Sequence, residues 1–350
     1  MLPAFRLVHL SRAMGLSLTR NSNSPRFSST LATFHYLSPL EEYRTVKPFH
    51  INIPAGGIPG RQHTNEVSQP YHNVKVHDIR EGKRCFSLDR EGFEVAEANE
   101  ARGAALLNAL TPDQYQDSDL VTSRVAPKME PFLRERLGAE TVITFAFRFR
   151  RRDSQFPKLA RGTDPNIAQP VQGVHADFTP DYARATANYV ARRRNLLDPA
   201  LQDRRWQLIS AWRPLHGPLF DWPLAVLDST SVDYSRDLIA SDNVYPHQVS
   251  ETYNVFFHED HRWHYLSGHN PHEILLFKAF DSKTSGGTAR VCAHAAFQLP
   301  NPPRNCPPRQ SIECVSLVLY PRGTADKFAR QTLPSETPAD HEPLGAFNFY

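Results

Sequence analysis

Between Glu140 and Arg150 the chain alternates. Ile143, Phe145, Phe147 and Phe149 fall on one side, and Thr144, Ala146, Arg148 and Arg150 on the other. A period of two predicts a half-buried strand, with Arg148 to Arg152 forming its solvated face and end. After Thr179 the period changes. Tyr182, Ala185, Thr186, Tyr189 and Val190 share one face of a helix that Thr179 can cap and that Pro180 suits in its first turn. Residues 99–137 also read as helical, with Pro112 and Pro127 as boundaries. Beyond the capped helix come short apolar runs at 206–213, 222–228, 252–258, 262–266, 273–280, 289–297 and 309–320. Pro, Gly, Asp or Asn turns separate them. So many short strands predict a sandwich or jelly roll. Residues 31–100 read as an arm broken by proline and glycine. Its Ala55–Gly60 stretch is a turn cluster and not a phosphate loop, because no Lys-Ser/Thr follows.

Composition narrows the function. With 350 residues, 40% of them hydrophobic, the chain can build a packed core. No apolar run reaches the roughly 20 residues of a membrane-spanning helix. A net charge of +3 is too balanced for a partner recognised through phosphates, so nucleic acid is not expected. Cys85, Cys292, Cys306 and Cys314 form no CxxC pair, which argues against a disulfide scaffold or zinc knuckle and for a reducing compartment. The first 40 residues hold Arg6, Arg12, Arg20 and Arg26 but no acid before Glu41. That composition fits a mitochondrial transit peptide or a disordered extension over residues 1–30. A cytoplasmic location is the expectation, with the mitochondrion as the alternative.

Two residues apart on an extended segment, His175 and Asp177 point to the same side and can grip one cation. Such a pair is also met as two polar residues on a surface strand. A second histidine, His294, stands in an otherwise apolar run. Fifteen residues later, Arg309 and Ser311 share one face of the next strand. Two histidines and a carboxylate leave positions open on Fe(II) for a cosubstrate and oxygen. A guanidinium beside a hydroxyl suits a distal carboxylate. This order is the one expected of an iron enzyme that uses 2-oxoglutarate. A rival metal cluster is His258, His261, His264, His269 and His272 with Glu273. Its Asn270-Pro271 turn could place His269 and His272 on zinc, as in a hydrolase.

The chain resembles the fungal AsaB hydroxylase/desaturase family, which includes a gibberellin desaturase and is related to a bacterial cephalosporin 7-alpha-methoxylase component. The matching blocks run from Ala32–Leu37 through Val76–Arg80, Phe86–Asp89, Gln169–Pro180, Trp212–Leu215, Asp221–Asp228 and Glu273–Lys278 to Arg309–Glu313. The resemblance implies a double-stranded β-helix, mainly β with flanking helices. It implies Fe(II), with 2-oxoglutarate and O2 as cosubstrates. His175, Asp177 and His294 would be the iron ligands, and Arg309 with Ser311 would anchor the acid. It also implies hydroxylation, desaturation or oxidative ring closure of a small-molecule metabolite, with no obligate protein partner. Residues 31–350 are expected to form one oxygenase domain. His294 follows Asp177 by 117 residues, so an insertion at about 215–285 is expected between them. Trp212, Arg213 and Lys278 match family blocks without an evident role; buried pairing is the plain expectation for the two cations. The alternative is a jelly roll that binds metal or ligand without turnover, which would have no use for Arg309 and Ser311.

Overall fold

The computed structural model describes residues 29–52, 62–81, 85–98, 101–159, 163, 167–196, 201–246 and 248–326. The proposed leader at 1–30, save its last two residues, and the Ala55–Gly60 turn lie outside them. Fourteen strands are described: β1 (Ser29–Leu37), β2 (Phe49–Ile51), β3 (Ser68–Asp78), β4 (Phe93–Glu97), β5 (Thr141–Arg151), β6 (His175–Ala176), β7 (Trp206–Pro214), β8 (Leu224–Leu227), β9 (Leu238–Tyr245), β10 (Gln248–Val255), β11 (Trp263–Tyr265), β12 (Glu273–Asp281), β13 (His294–Ala296) and β14 (Gln310–Leu319). They form a nine-stranded sheet in the order β1-β3-β11-β8-β13-β6-β10-β9-β2 and a five-stranded sheet in the order β4-β12-β7-β14-β5. Two mainly antiparallel sheets face to face make the expected jelly roll.

The core follows from alternation. Along β12, Leu275 and Phe277 pack inward on Trp212, Leu224 and Val226. Ile274 and Leu276 turn outward onto the helical segment, where Leu106, Val125, Met129 and Leu133 cover the small sheet. A strand covered on both faces reads as a continuous apolar run, as β12 does. The 99–137 region is several short helices and turns, with Ala126–Leu137 the longest and Pro127 in its first turn.

Three regions differ from the pattern. The arm at 31–100 contains β1 to β4, and β1 pairs with β3 to extend the large sheet. Pro70 falls in the part of β3 that β11 does not reach, where one side of the strand has no ladder to break. In β5 the alternation is not strict. A register shift between Val315 and Ser316 of β14 sets Ala146 against the first and Thr144 against the second, leaving Phe145 as an extra residue. Ile143 therefore packs with the inner core, while Phe147 and Phe149 pack with the outer helices. The stretch 215–285 supplies β8 to β12. Of these, β8 borders β13, β10 borders β6 and β12 borders β7.

The helix Pro180–Arg193 forms where the period predicts it. The Thr179 hydroxyl accepts from the Tyr182 amide, and Pro180 sits in the first turn. Its buried stripe is Tyr182, Ala183, Thr186, Ala187, Val190 and Ala191, one residue round from the predicted face.

Candidate metal centre and anion pocket

The two-residue strand β6 lies between β13 and β10. His175 is the register partner of His294 on one side and of Asn254 on the other. The sheet order therefore makes neighbours of residues 119 positions apart. Asp177 follows on the same side as His175. His175 Nε2 lies 3.6 Å from Asp177 Oδ1, and His294 Nε2 lies 3.7 Å from the same oxygen. The imidazole centroids are 4.4 Å apart.

Each imidazole is oriented by a backbone carbonyl. His175 Nδ1 donates to Gly173 O at 2.9 Å, and His294 Nδ1 donates to Cys292 O at 3.2 Å. A carbonyl only accepts, so the proton must be on Nδ1 and the Nε2 lone pair faces Asp177. Burial, and then the neighbouring His294, push the His175 imidazole down to about 4, which keeps it neutral near pH 7. Asp177 Oδ2 is buried with no hydrogen-bond partner among the described residues. Two oriented lone pairs and an orphaned carboxylate oxygen are what a divalent cation requires and what a structural hydrogen-bond cluster would have satisfied. The three side chains fit iron.

Arg309 is 1% exposed. Its Nε donates to Ser311 Oγ at 3.1 Å, its Nη1 donates to Trp222 O at 2.8 Å, and the guanidinium lies 5.0 Å above the Trp212 ring. None of these partners is an acid. Burial, and then the repulsion of Arg150, lower its pKa to about 9, so it still carries its charge at neutral pH. Trp222 has φ +48°, a backbone region that bulky residues rarely occupy, and its carbonyl is the one that takes Arg309. Glu313 does not pair with Arg309; in register it lies opposite Arg148 on one side and Trp212 on the other.

Arg150 departs from the sequence reading. The basic end of β5 was expected in solvent, yet Arg148 and Arg150 line the same cavity as the three metal-ligand candidates and Arg309. Arg150 is the register partner of Ser311, so Arg150, Ser311 and Arg309 share one face of the small sheet. Burial, and then Arg148, lower the Arg150 pKa to about 10. Its alternation with Phe147 and Phe149 was legible; the identity of the covering sheet was not. The cavity encloses about 990 Å3, room for a dicarboxylic acid and a second molecule several times larger.

The turn histidines are engaged in structure. His261 sits between Asp237 Oδ2 at 3.1 Å and Tyr36 Oη at 3.2 Å. His269 Nε2 donates to Glu273 O at 2.6 Å, and the Glu273 carboxylate takes both terminal nitrogens of Arg80. Among the described residues one group could hold a metal, namely His175, Asp177 and His294. Lys278 and Arg213 are buried pairs: Lys278 joins Asp281 and Asp89, and Arg213 donates to Tyr115 Oη at 2.5 Å. Trp212 supplies the ring beneath Arg309.

Residues 34–319 match a family described as an oxidoreductase/YMDC permease-like domain. The chain is 31% identical over 299 residues to the hydroxylase/desaturase efuI of Hormonema carpetanum, covering 80% of this chain and 94% of that one. It is 29% identical over 268 residues to the Fe(II)/2-oxoglutarate-dependent dioxygenase nvfI of Aspergillus novofumigatus, covering 74% and 87%. A solved structure of the iron and alpha-ketoglutarate-dependent endoperoxidase NvfI superposes with a TM-score of 0.68 at 25% identity, over 84% of this chain and 99% of that one. No helix among the described residues is long and apolar enough to cross a membrane. The oriented imidazoles, the orphaned carboxylate oxygen and the uncompensated arginines thus stand in a fold and sequence shared with these enzymes, and the chain belongs to the non-haem Fe(II)/2-oxoglutarate oxygenases of the hydroxylase/desaturase family, as an enzyme of oxidative secondary-metabolite tailoring.

Proposed function

We propose that His175, Asp177 and His294 hold the iron, that Arg309, Ser311 and Arg150 receive the far carboxylate of 2-oxoglutarate, and that the rest of the cavity takes one small metabolite. The single observation behind this assignment is the pairing of two unmet needs in one pocket. Among the described residues, Asp177 Oδ2 has no donor and the Arg309 guanidinium has no acid. Iron with 2-oxoglutarate and oxygen supplies an oxidant able to remove hydrogen from an unactivated C–H bond, the acid leaving as succinate and carbon dioxide.

The chain's own work is positional. Gly173 and Cys292 carbonyls fix both imidazoles before any ligand arrives, so little ordering remains to be done on binding. Trp222 and Ser311 hold Arg309 from two sides, which aims its remaining N–H groups. Phe178 and Leu224 line the cavity and help to keep water from the reacting carbon. Residues 31 onward act as one oxygenase domain. The protein works in the cytoplasm, with mitochondrial import as the alternative suggested by the acid-free start of the chain. A fusion of residues 1–30 to a fluorescent protein decides between them: diffuse signal supports the first and mitochondrial signal the second.

An anaerobic titration with Fe(II) and 2-oxoglutarate tests the assignment. A visible charge-transfer band saturating at one iron and one acid per chain is expected. No band, or one that persists in His294→Ala, contradicts it.

A further inference from the structure

We propose that the metabolite already carries a hydroxyl group when it arrives, and that Glu66 and Asn254 bind that hydroxyl beside the metal. The proposal rests on the assignment above, because it concerns the metabolite's share of the same cavity.

One wall of the cavity is polar from end to end. On β10 the alternate residues Gln248, Ser250, Thr252 and Asn254 all face it. Asn243 of β9 and His50 of β2, register partners of each other, continue that face across the next two strands. The apolar lining comes from elsewhere: Leu224 and Ala296 nearer the centre of the large sheet, Ala146 and Val315 from the small one. A sheet face kept polar over three strands leaves the cavity with hydrogen-bonding groups for a ligand to take over from water.

Hydrogen-bond accounting along that wall shows which polarity is missing. Glu66, two residues before β3, accepts from the Ser241 hydroxyl and from Asn254 Nδ2 at 2.6 Å, both on Oε1. Its Oε2 has no partner and it forms no ion pair among the described residues. Asn254 gives one N–H to Glu66, which turns its amide so that the carbonyl oxygen is left to accept. Asn243 gives its NH2 group to Thr252 Oγ1 at 3.0 Å, with the same consequence. Around Glu66 and Asn254 the wall therefore presents two acceptors, Glu66 Oε2 and Asn254 Oδ1, to a donor on the ligand.

Charge selects a hydroxyl over an ammonium. Among the cavity's ionised side chains, three arginines (Arg148, Arg150, Arg309) face three acids (Glu66, Asp177, Glu313). A divalent metal and a dianionic acid cancel each other. No net negative charge remains to hold an organic cation, whereas a neutral alcohol or phenol donates one hydrogen bond and brings no charge. Asn254 is the direct cross-strand partner of His175, so a hydroxyl held there lies one strand from the metal and close to the carbon that reacts. Chemically, the step that introduces the hydroxyl must precede this one.

The test uses the whole protein loaded anaerobically with Fe(II) and 2-oxoglutarate. Matched pairs of di- to tetracyclic terpenoid or aromatic alcohols and their methyl ethers are titrated, and tryptophan quenching is read. The alcohols are expected to bind about ten- to a hundredfold more tightly than their ethers, the range for one hydrogen bond to a charged group. Glu66→Gln should cut that preference to about threefold or less while leaving the iron and 2-oxoglutarate constants unchanged. Equal binding of alcohols and ethers, failure of every alcohol to bind, or a preference that survives in Glu66→Gln overturns the proposal. If Glu66→Gln does not fold, the wild-type alcohol-to-ether ratio decides alone. Failure of the metal assignment shows separately, as loss of the charge-transfer band before any probe is added.

Discussion

Lys278 lies in β12 and Arg309 immediately before β14 of the same small sheet, and they are equally hidden, at 0% and 1% exposure. Lys278 is fully matched: it contacts Asp281 at 2.5 Å, Asp89 at 3.0 Å and Ala289 O at 3.0 Å. Arg205 and Gln207 add further donors to Asp281, so every charge in that cluster meets its complement inside the protein. Arg309 has a hydroxyl, a carbonyl and a ring, and no counter-ion among the described residues. A buried cation without an anion is costly, which makes Arg309 the candidate seat for an anion from outside the chain. Burial alone therefore does not separate the two cations; the missing partner does. The same contrast separates the two histidine clusters. His261 and His269 have partners on the protein, while the Nε2 atoms of His175 and His294 converge on a half-satisfied carboxylate.

The largest effects should fall on the metal side of this contrast. His175→Ala, Asp177→Ala and His294→Ala should each abolish Fe(II) binding as measured by equilibrium dialysis, since even changes behind the ligands cost about 10- to 100-fold. His269→Ala should leave iron binding within about twofold of wild type. Next comes the matched cluster. Asp281→Ala should lower unfolding free energy by about 3–5 kcal/mol in urea titrations, because it strands Lys278 and Arg205. Iron affinity of the folded variant should be unchanged.

Arg309→Leu should behave in the opposite way. The 2-oxoglutarate constant should rise roughly ten- to a thousandfold, following about 1.5–3 kcal/mol per charged hydrogen bond. Fe(II) binding and melting temperature should hold or improve. Arg309→Lys should do less harm, keeping the charge and losing the fork. A fall in melting temperature with an unaltered acid constant would make Arg309 structural, like Lys278.

The smallest effect is on pH. Burial opposes ionisation of Asp89, but hydrogen bonds from Arg205 and the charge of Lys278 win and hold it at about 2; Asp281 is lowered for the same reasons. The unfolded carboxyls titrate near 3.9, so the stability they contribute is complete above about pH 4 and is lost as pH falls towards 2. Urea midpoints for Asp281→Ala should vary less across that window than those of wild type.

Much of the site could be read from the chain because strand alternation is local. His175 with Asp177, and Arg309 with Ser311, each share a face by period alone. His294 was legible as a polar residue in an apolar run, but its nearness to His175 is set by sheet order, which adjacent residues do not encode. Arg150 was misread for that reason. Its face was evident, but whether solvent or a second sheet lay over it depended on pairing between segments far apart in sequence. The longest strand of the arm is hidden by Pro70, which β3 tolerates because β11 pairs only with its last three residues. The bulge at Phe145 left no trace in a pattern that looked regular.

The account rests on the claim that the two unmatched groups are seats for iron and for the acid. Crystals grown anaerobically with Fe(II) and 2-oxoglutarate, measured at the iron absorption edge, test it directly. The account predicts one anomalous peak within bonding distance of His175, Asp177 and His294, with the far carboxylate of the acid on Arg309 and Ser311. Iron at His269 or His272, or an acid bound away from Arg309, would contradict it.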